Sequence, residues 1–434
     1  MAQRLDSRSS DFEEKFTALL SMKRETSGDV RAAVESIVAD VKSRGDAAVF
    51  ELTEKFDRFD PRAKGLVISE DEISAAWDIV SDDVKAALRT AAERIRAFHQ
   101  KQLPKDIDYT DDAGVRLGQA WKSVEAAGLY VPGGLASYPS SVLMNAVPAN
   151  VAGVERVVMA VPTPGGELNP LVLAAAKLAG VTEIYRVGGA QAVAALAYGT
   201  ETIARVDKIV GPGNAYVAEA KRQVFGTVGI DSIAGPSEIL VIADNKTDPR
   251  WIAADLLSQA EHDSVAQSIL ITDDTVYAKM VDDAVEDHLA GLKRRDIAAA
   301  SWRDFGAVIV VADLSEAVAL ADRLAPEHLE LAVDDPEDMR RKIRNAGAIF
   351  LGRHTPEAIG DYVAGPNHVL PTARTARFSS GLSVYDFMKR TTFVECDADS
   401  LGRVGPAAAT LAEEEGLGAH ALSVTIRLDD APGK

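Results

Sequence analysis

The chain has 434 residues, of which 47% are apolar and 26% charged, a composition typical of globular proteins and a length sufficient for roughly two to four domains. Its formal charge of -19 argues against nucleic acid or an anionic membrane as a partner, because both would repel so acidic a surface. The only cysteine is Cys396, so a disulfide framework and a cysteine-rich zinc module are excluded.

The N-terminal segment does not resemble a targeting signal. The sequence MAQRLDSRSSDFEEKF carries charge where a secretory signal needs an apolar core, and no run approaches the roughly 18 apolar residues of a membrane span. We therefore expect a cytoplasmic protein. Residues 1–28 are charged and mixed, which predicts an N-terminal arm rather than a domain.

The periodicity of apolar residues changes along the chain. From residue 29 to about residue 104 they recur every three or four positions, as in VRAAVESIVADVKSRG, and this spacing predicts helices. From residue 128 to residue 237 short β-branched runs such as ERVVMAVPT alternate with Ala-rich helical stretches, which favours βαβ crossovers and a mainly parallel sheet. A second alternating set, from EILVIAD to AIFLGR, predicts another sheet of the same kind.

The predicted fold class is α/β, with two Rossmann-like doubly wound domains and an N-terminal helical arm. We place the larger domain at residues 29–127 plus 238–381 and the second domain at residues 128–237. The last segment, 382–434, is short and acidic and lacks the alternation of strands and helices, so we predict a small C-terminal tail domain.

The usual dinucleotide fingerprint, G-x-G-x-x-G, is absent. In its place VGGAQA (187–192) and GPGNAY (211–216) stand at two strand-to-helix turns. Either turn can offer backbone N–H groups to a phosphate at a helix start. The commoner alternative is a tight turn in which only glycine fits.

The histidines differ in their surroundings. His99 and His288 lie among charged neighbours in predicted helices and His354 precedes a helix start, so all three are expected to be solvated. In PEHLEL, by contrast, Glu327 and His328 are adjacent between a helix and a strand. A carboxylate next to an imidazole suits general acid–base chemistry, whereas the alternative is a histidine placed favourably at a helix terminus.

A candidate metal site begins at the end of the predicted helix WIAADLLSQAEHD. Gln259 and His262 are three residues apart and share a helix face, although a helix end can also be polar for solvation alone. Together with Asp361 and His420 they would supply two imidazoles, a carboxylate and an amide oxygen, which suits Zn²⁺ or Mn²⁺ with open coordination positions. Spacing alone does not show that the four residues meet.

Taken in order, these motifs resemble those of the histidinol dehydrogenase family over nearly the whole chain. The matching stretches are GLYVPGG (128–134), YPSSVLMNAVPA (138–149), GGAQAVAALAYGT, KIVGPGNAYVAEAKR, IDSIAGPSEILVIAD, DLLSQAEHD, APEHLEL, GDYVAGPNHVLPT and FSSGLSVYDFMKR. The resemblance implies an enzyme that oxidises L-histidinol through L-histidinal to L-histidine with two NAD⁺, as the last step of histidine biosynthesis. It also implies a homodimer in which the tail of each chain contributes to the active site of its partner.

The resemblance further implies roles for individual residues. Zinc, one ion per subunit with Mn²⁺ as a possible substitute, would be held by Gln259, His262, Asp361 and His420. His328 would take the hydroxyl proton as hydride leaves for NAD⁺, and Glu327 would activate the water that adds to the aldehyde.

The remaining roles implied by the resemblance concern substrate and cofactor contacts. Besides His328 and the four metal ligands, the substrate would be bound by Ser237, His368 and Glu415. The NAD site would be lined by Tyr130, Gln191 and Asn214. The larger domain would thus carry the metal and substrate, and the domain at residues 128–237 would bind NAD.

Other functions use the same residues. A metallohydrolase would combine this ligand set with Glu327 as base but would reduce no NAD⁺, and a different metal-dependent dehydrogenase of an amino alcohol would share the whole site. A non-catalytic α/β binding protein would turn over nothing. Cys396 suggests an aldehyde-capturing thiolate, but its acidic context, FVECDAD, disfavours one, so we expect it to be structural.

Overall fold

A computed structural model describes residues 2–22, 28–132 and 138–429. The end of the predicted arm and the two glycines that close GLYVPGG lie outside the described residues. The strands are β1 (Gln3–Asp6), β2 (Ile107–Thr110), β3 (Arg116–Ser123), β4 (Ala126–Tyr130), β5 (Arg156–Val161), β6 (Glu183–Arg186), β7 (Lys208–Val210), β8 (Gly229–Ile230), β9 (Glu238–Ala243), β10 (Gln267–Thr272), β11 (Ala307–Val310), β12 (His328–Ala332), β13 (Ala348–Leu351) and β14 (Met388–Glu395).

The helices in the same ranges are α1 (Phe12–Leu20), α2 (Gly28–Arg44), α3 (Asp46–Asp57), α4 (Pro61–Lys64), α5 (Glu70–Ile79), α6 (Asp82–Gln100), α7 (Pro139–Val151), α8 (Pro170–Ala179), α9 (Gly189–Tyr198), α10 (Ala215–Val224), α11 (Pro249–Ala260), α12 (Thr275–Leu289), α13 (Arg295–Phe305), α14 (Glu316–Leu324), α15 (Pro336–Lys342), α16 (Glu357–Tyr362), α17 (Ala398–Glu414) and α18 (Gly418–Asp429). Short 3-10 helices span Pro164–Gly166, Thr375–Arg377 and Val384–Phe387. No described helix is long and apolar enough to cross a membrane.

The chain divides into two compact units. The first comprises Met1–Lys101 and Glu125–Phe387 and contains both parallel sheets. The second comprises Gln102–Val124 and Met388–Lys434 and contains an antiparallel sheet. The sequence pattern did not join the hairpin of β2 and β3 to the tail, because the pairing of β3 with β14 links segments far apart in the sequence.

The larger sheet has six strands among the described residues, in the order β1-β11-β10-β9-β12-β13, and all neighbours are parallel. The strands β9 and β10 are uninterrupted runs of buried residues, as expected where helices cover both faces. Side chains of β9 alternate between two apolar clusters, with Ile239 and Val241 in one and Leu240 and Ile242 in the other. Part of the predicted arm belongs to this sheet, because β1 pairs with β11.

The smaller parallel sheet has five described strands in the order β6-β5-β4-β7-β8. The Ala-rich helix α9 that follows β6 is almost wholly buried, since small side chains let it pack closely between the sheet and its neighbours. Helices α2, α5 and α6, which the sequence pattern grouped with the larger domain, contact α9, α8 and α7 respectively. The predicted α/β class with two Rossmann-like sheets is confirmed.

The two parallel sheets present their important turns at opposite edges. Tyr130 ends β4, and the glycine-rich turns follow β6 and β7, so all three lie at the carboxyl edge of the five-stranded sheet. In the six-stranded sheet, Glu238 begins β9 and His328 begins β12, at the amino edge. Helix α11 connects β9 to the parallel strand β10, so its last turn, which contains Gln259, returns to that amino edge.

The second unit combines the sheet β14-β3-β2 with the helix pair α17 and α18. Its strands are antiparallel and expose most of their side chains. Gly118 in β3 leaves room for the ring of Phe393 on β14, since a Cβ at that position would lie 1.9 Å from the ring. Cys396, which follows β14, is a free and exposed cysteine.

The prediction for His99 is wrong. Rather than being solvated, His99 is fully buried, with Nδ1 2.8 Å from the backbone oxygen of Ile95. It shares the buried face of α6 with Ile95 and Ala92, while its charged neighbours point elsewhere. Burial lowers the pKa of His99 below its ordinary value. His354 is exposed and His288 is partly exposed.

Candidate functional site

A cavity of about 470 Å³ lies between the carboxyl edge of the five-stranded sheet and the amino edge of the six-stranded sheet. Both edges belong to the first unit. The residues predicted from the sequence that line it are Tyr130, Asn214, Ser237, Gln259, His262, Glu327, His328, Asp361 and His368. The cavity therefore brings the predicted acid–base and metal-binding residues of the six-stranded sheet together with two predicted cofactor residues of the five-stranded sheet.

His328 is buried in the wall of this cavity. Its Nδ1 lies 3.0 Å from the backbone oxygen of Glu238, and because a carbonyl oxygen only accepts, Nδ1 carries the proton and Nε2 keeps its lone pair. Nε2 has no hydrogen-bond partner among the described residues and lies 3.8 Å from a carboxylate oxygen of Asp361. Burial lowers the pKa of His328 to about 4, against the opposing charge of Asp361, so Nε2 is a free base at neutral pH.

Glu327 is buried immediately before β12. Its Oε2 accepts a hydrogen bond of 2.9 Å from the backbone N–H of Glu238, and the same oxygen lies 3.7 Å from Nδ1 of His328. The backbone of Glu238 thus fixes both side chains, its N–H holding the carboxylate and its C=O holding the imidazole. This arrangement follows from the register of the parallel strands, in which His328 pairs with Ile239.

Gln259 and His262, two of the predicted metal ligands, line the same cavity. Gln259 is 1% exposed, and its amide oxygen has no hydrogen-bond partner among the described residues. Such a buried acceptor is destabilising unless something else satisfies it. Nδ1 of His262 lies 2.8 Å from the backbone oxygen of Ser258, so Nε2 keeps the lone pair that coordinates a metal.

Asp361 and His368 lie close together at the same wall. Nδ1 of His368 is 3.1 Å from the backbone oxygen of Asp361 and 3.9 Å from its carboxylate. Burial lowers the pKa of His368, and the negative charge of Asp361 opposes that shift. His328, Glu357 and Asp361 also offer ligand atoms that all lie within 4.8 Å of one another. Asp361 is therefore common to this cluster and to the predicted ligand set.

The predicted cofactor residues lie at the carboxyl edge of the five-stranded sheet. The hydroxyl of Tyr130 accepts a hydrogen bond of 3.1 Å from the backbone N–H of Gly189, at the start of α9. Burial raises the pKa of Tyr130 to about 12, so the hydroxyl stays protonated and can donate in turn. Gln191 is buried in the first turn of the same helix, and Asn214 caps α10 by accepting from two of its backbone N–H groups. Gln191 is not part of the described cavity wall.

The turn that contains GPGN is held by its own contacts. Gly211 has φ +109°, and a Cβ there would lie 2.2 Å from the backbone oxygen of Tyr130, so only glycine fits. The buried Lys221 donates to the Gly211 carbonyl over 3.0 Å and forms an ion pair with Asp231. Asp231 in turn accepts from the Gly211 N–H at 2.8 Å. The tight-turn interpretation of this motif is therefore supported at Gly211.

The predicted site residues of the tail lie in the second unit. Glu415 caps the C-terminus of α17, and His420 lies in the first turn of α18. Both are exposed. Their part in an active site stays a prediction.

Two buried acidic residues and one partly buried acidic residue near the site were missed by the sequence reasoning. Glu357 is 2% exposed, and burial together with the nearby carboxylate of Asp361 raises its pKa well above the ordinary value. Glu330 and Asp255 are neighbours, and each affects the pKa of the other. The sequence HLELA could have predicted a role for Glu330. An acidic residue within a buried strand is unfavourable unless it has a partner, so one should have been sought.

Comparison with known proteins gives the family. A family model described as histidinol dehydrogenase matches residues 20–428. The chain belongs to the histidinol dehydrogenase family. A histidinol dehydrogenase of Rhodospirillum rubrum is 66% identical over 430 residues, with 99% of each chain covered. One of Ruegeria pomeroyi is 65% identical over 433 residues, with 100% of each chain covered.

A solved structure agrees with this membership. The crystal structure of histidinol dehydrogenase from Elizabethkingia anophelis matches with a TM-score of 0.95 at 37% identity, covering 100% of this chain and 99% of that chain. The resemblance found in the sequence motifs is therefore confirmed. Histidinol dehydrogenases are NAD-dependent oxidoreductases, and this chain is an enzyme of that class.

Proposed function

We propose that the chain catalyses the zinc-dependent, four-electron oxidation of L-histidinol through L-histidinal to L-histidine with two NAD⁺, the last step of histidine biosynthesis. The observation that carries this proposal is the pairing of Glu327 with a neutral His328 whose Nε2 is free, in one cavity with unpaired metal donors. A proton acceptor and a water-activating carboxylate are the two groups that alcohol oxidation followed by aldehyde oxidation requires.

The proposed zinc ligands are Gln259, His262, Asp361 and, from the tail, His420. The fit is supported by the unpartnered amide oxygen of Gln259 and by the tautomer of His262, whose Nδ1 is occupied by a backbone oxygen. When bound, zinc would hold the imidazole and amino nitrogens of the substrate and so orient its hydroxyl group. The donor set also accepts Mn²⁺, since it contains no thiolate.

The proton transfers fall to His328. Its Nε2 would accept the hydroxyl proton while a hydride leaves the carbinol carbon for NAD⁺, and the lowered pKa keeps that nitrogen unprotonated beforehand. After His328 has released the first proton to solvent, Glu327 would remove a proton from the water that adds to the aldehyde, and Nε2 of His328 would accept the second hydroxyl proton. Ser237, His368 and Glu415 would contact the substrate.

The carboxyl edge of the five-stranded sheet would bind NAD⁺, with Tyr130, Gln191 and Asn214 as contacts. Supporting this, Tyr130 and the turn before α10 line the cavity, and the Tyr130 hydroxyl contacts the backbone N–H of Gly189 at the start of α9. Helix starts supply the backbone N–H groups that bind phosphate.

We further propose a cytoplasmic homodimer in which each active site receives Glu415 and His420 from the partner. Helices α17 and α18 expose apolar side chains that a protein interface would cover. These are Leu411 on α17, Leu422 and Ile426 on α18, and Leu417 in the turn between the two helices. A mixture of His262→Ala and His420→Ala homodimers should regain activity on subunit exchange, because one site of the heterodimer then contains every ligand. Exchange verified by mass without activity would exclude the shared site.

The reaction itself is tested by the yield of NADH. Limiting L-histidinol should give two NADH per molecule and L-histidine as product, and His328→Asn should give almost none. A yield of one NADH with accumulated aldehyde would indicate a simple amino-alcohol dehydrogenase. No NADH with any amino alcohol would favour a metallohydrolase.

A further inference from the structure

Buried or partly buried carboxyl groups lie on the three elements that carry the proposed metal and proton-transfer residues. Asp255 lies on α11, Glu330 on β12 and Glu357 at the start of α16. Glu330 is 3% exposed, although nothing in the proposed reaction uses it. A buried acidic residue outside the reacting groups needs a structural reason, because its desolvation is unfavourable.

Glu330 connects these three elements directly. Its Oε1 accepts a hydrogen bond of 2.5 Å from the backbone N–H of Glu357, the first residue of α16. Its carboxyl group also neighbours that of Asp255 on α11, close enough for each group to affect the pKa of the other. Two neighbouring carboxyl groups are most stable when one of them is protonated. In agreement, burial raises the pKa of Asp255 to about 6 and that of Glu330 well above its ordinary value.

Each of the two residues next to Glu330 lies one helical turn before a proposed metal ligand. Asp255 is followed four residues later by Gln259, on the same face of α11, and Glu357 is followed four residues later by Asp361 in α16. The two helices therefore bring their donors to one point only if both are held against β12. We propose that Glu330 is a positioning residue that joins α11 and α16 to β12 and so fixes the distance between the metal ligands on the two helices.

This inference rests on the zinc site proposed above, and it makes a specific claim about substitutions. A methionine at position 330 would fill the space but leave the N–H of Glu357 and the carboxyl of Asp255 without a partner. A glutamine would keep both contacts, because its amide oxygen accepts from Glu357 and its amide N–H donates to Asp255.

The test is a titration of metal-free protein with Zn²⁺ in competition with a chromophoric chelator. Glu330→Met should weaken zinc binding by about 10- to 100-fold, as is common when a group that orients metal ligands is lost. Glu330→Gln should stay within about threefold of the wild type, since it replaces one hydrogen bond by another. The matched control is Ser268→Ala. It removes a buried hydrogen bond of 2.7 Å to the Leu256 carbonyl on α11 but leaves the contacts of Glu330 in place. Its affinity for zinc should equal that of the wild type.

The outcomes separate this proposal from the zinc site itself. If His262→Ala abolishes zinc binding but Glu330→Met binds as the wild type does, Glu330 is not a positioning residue. Equal losses in Glu330→Met and Glu330→Gln, or in Glu330→Met and Ser268→Ala, would also overturn the proposal. Should Glu330→Met fail to fold, Asp255→Leu and Asp255→Asn repeat the comparison from α11, with the loss expected only for leucine. If His262→Ala leaves zinc binding intact, the proposed metal site is wrong.

Discussion

The two parallel sheets of the first unit share one architecture but meet the cavity with opposite edges. The five-stranded sheet presents its carboxyl edge, where Tyr130 ends a strand and a glycine-rich turn precedes the start of α10. The six-stranded sheet presents its amino edge, where Glu327 and His328 precede or begin a strand and Gln259 ends a helix. The first edge is built from turns and helix starts, and the second carries the predicted acid–base and metal-binding side chains.

This difference agrees with the division of labour that we propose. Ligands of open α/β sheets generally bind at the carboxyl ends of the strands, because helix N-termini there favour phosphate. The amino edge meets helix C-termini, whose partial negative charge favours cations. The partial charges at the helix ends therefore agree with a metal site at the end of α11 and a cofactor site at the start of α9.

The largest effect should follow from removing the metal from the amino edge. Chelation should reduce histidinol oxidation by more than about 100-fold, and either Zn²⁺ or Mn²⁺ should restore it. NAD⁺ binding, measured by fluorescence quenching, should survive because its proposed contacts lie on the other sheet. Full turnover of protein shown to be metal-free would contradict the role given to Gln259 and His262, and loss of NAD⁺ binding would show that the two edges are not independent.

A smaller effect distinguishes the two reacting groups at that edge. His328→Asn should slow both oxidation steps by about 10²- to 10⁴-fold, because both need its proton acceptor. Glu327→Gln should slow the oxidation of supplied L-histidinal more than that of L-histidinol, since only the aldehyde step consumes water. Stopped-flow measurement of each step makes the comparison, and equal losses for Glu327→Gln would exclude the separate roles.

At the carboxyl edge, Gly211→Ala should weaken the binding of NAD⁺ more than the binding of the substrate. The added Cβ would collide with the backbone oxygen of Tyr130, so the turn before α10 must move. We expect the KM for NAD⁺ to rise by about tenfold, on the scale of the roughly 1–3 kcal/mol that an added atom costs in a packed site. Gly226→Ala is the control, because Gly226 also has a positive φ of +100° but nothing within 4 Å of the added atom. Equal changes in both variants would mean that strain alone, rather than the turn, is responsible.

The smallest effect concerns His99, a buried imidazole on α6 beside the five-stranded sheet. Its pKa is lowered in the folded state, so below about pH 6.5 the unfolded chain binds a proton that the folded chain does not. Stability should therefore fall between about pH 6.5 and 5.5, by at most about 1.4 kcal/mol per pH unit for this group. Denaturant midpoints of His99→Leu should show a shallower slope than those of the wild type, whereas the exposed His354→Leu should show the wild-type slope.

The sequence predicted those features that depend on local spacing. The alternation of β-branched and Ala-rich runs gave both parallel sheets, and the three-residue spacing placed Gln259 and His262 at one helix end. The edge of the sheet that would face the cavity depends on how two sheets pack, which no local pattern contains. The pairing of Asp255 with Glu330 was missed for the same reason, as was the burial of His99, whose charged neighbours concealed its helix face.

The N-terminal strand β1 has a consequence for self-association. It is the outermost strand of the six-stranded sheet, and its pairing with β11 satisfies backbone groups along Ala307–Val310. That segment, AVIV, is entirely buried, apolar and β-branched apart from its first residue. Without β1 it would become an open edge able to pair with the same segment of another chain. Loss of the first six residues should therefore promote aggregation rather than alter the chemistry near β12, which lies toward the far side of the sheet.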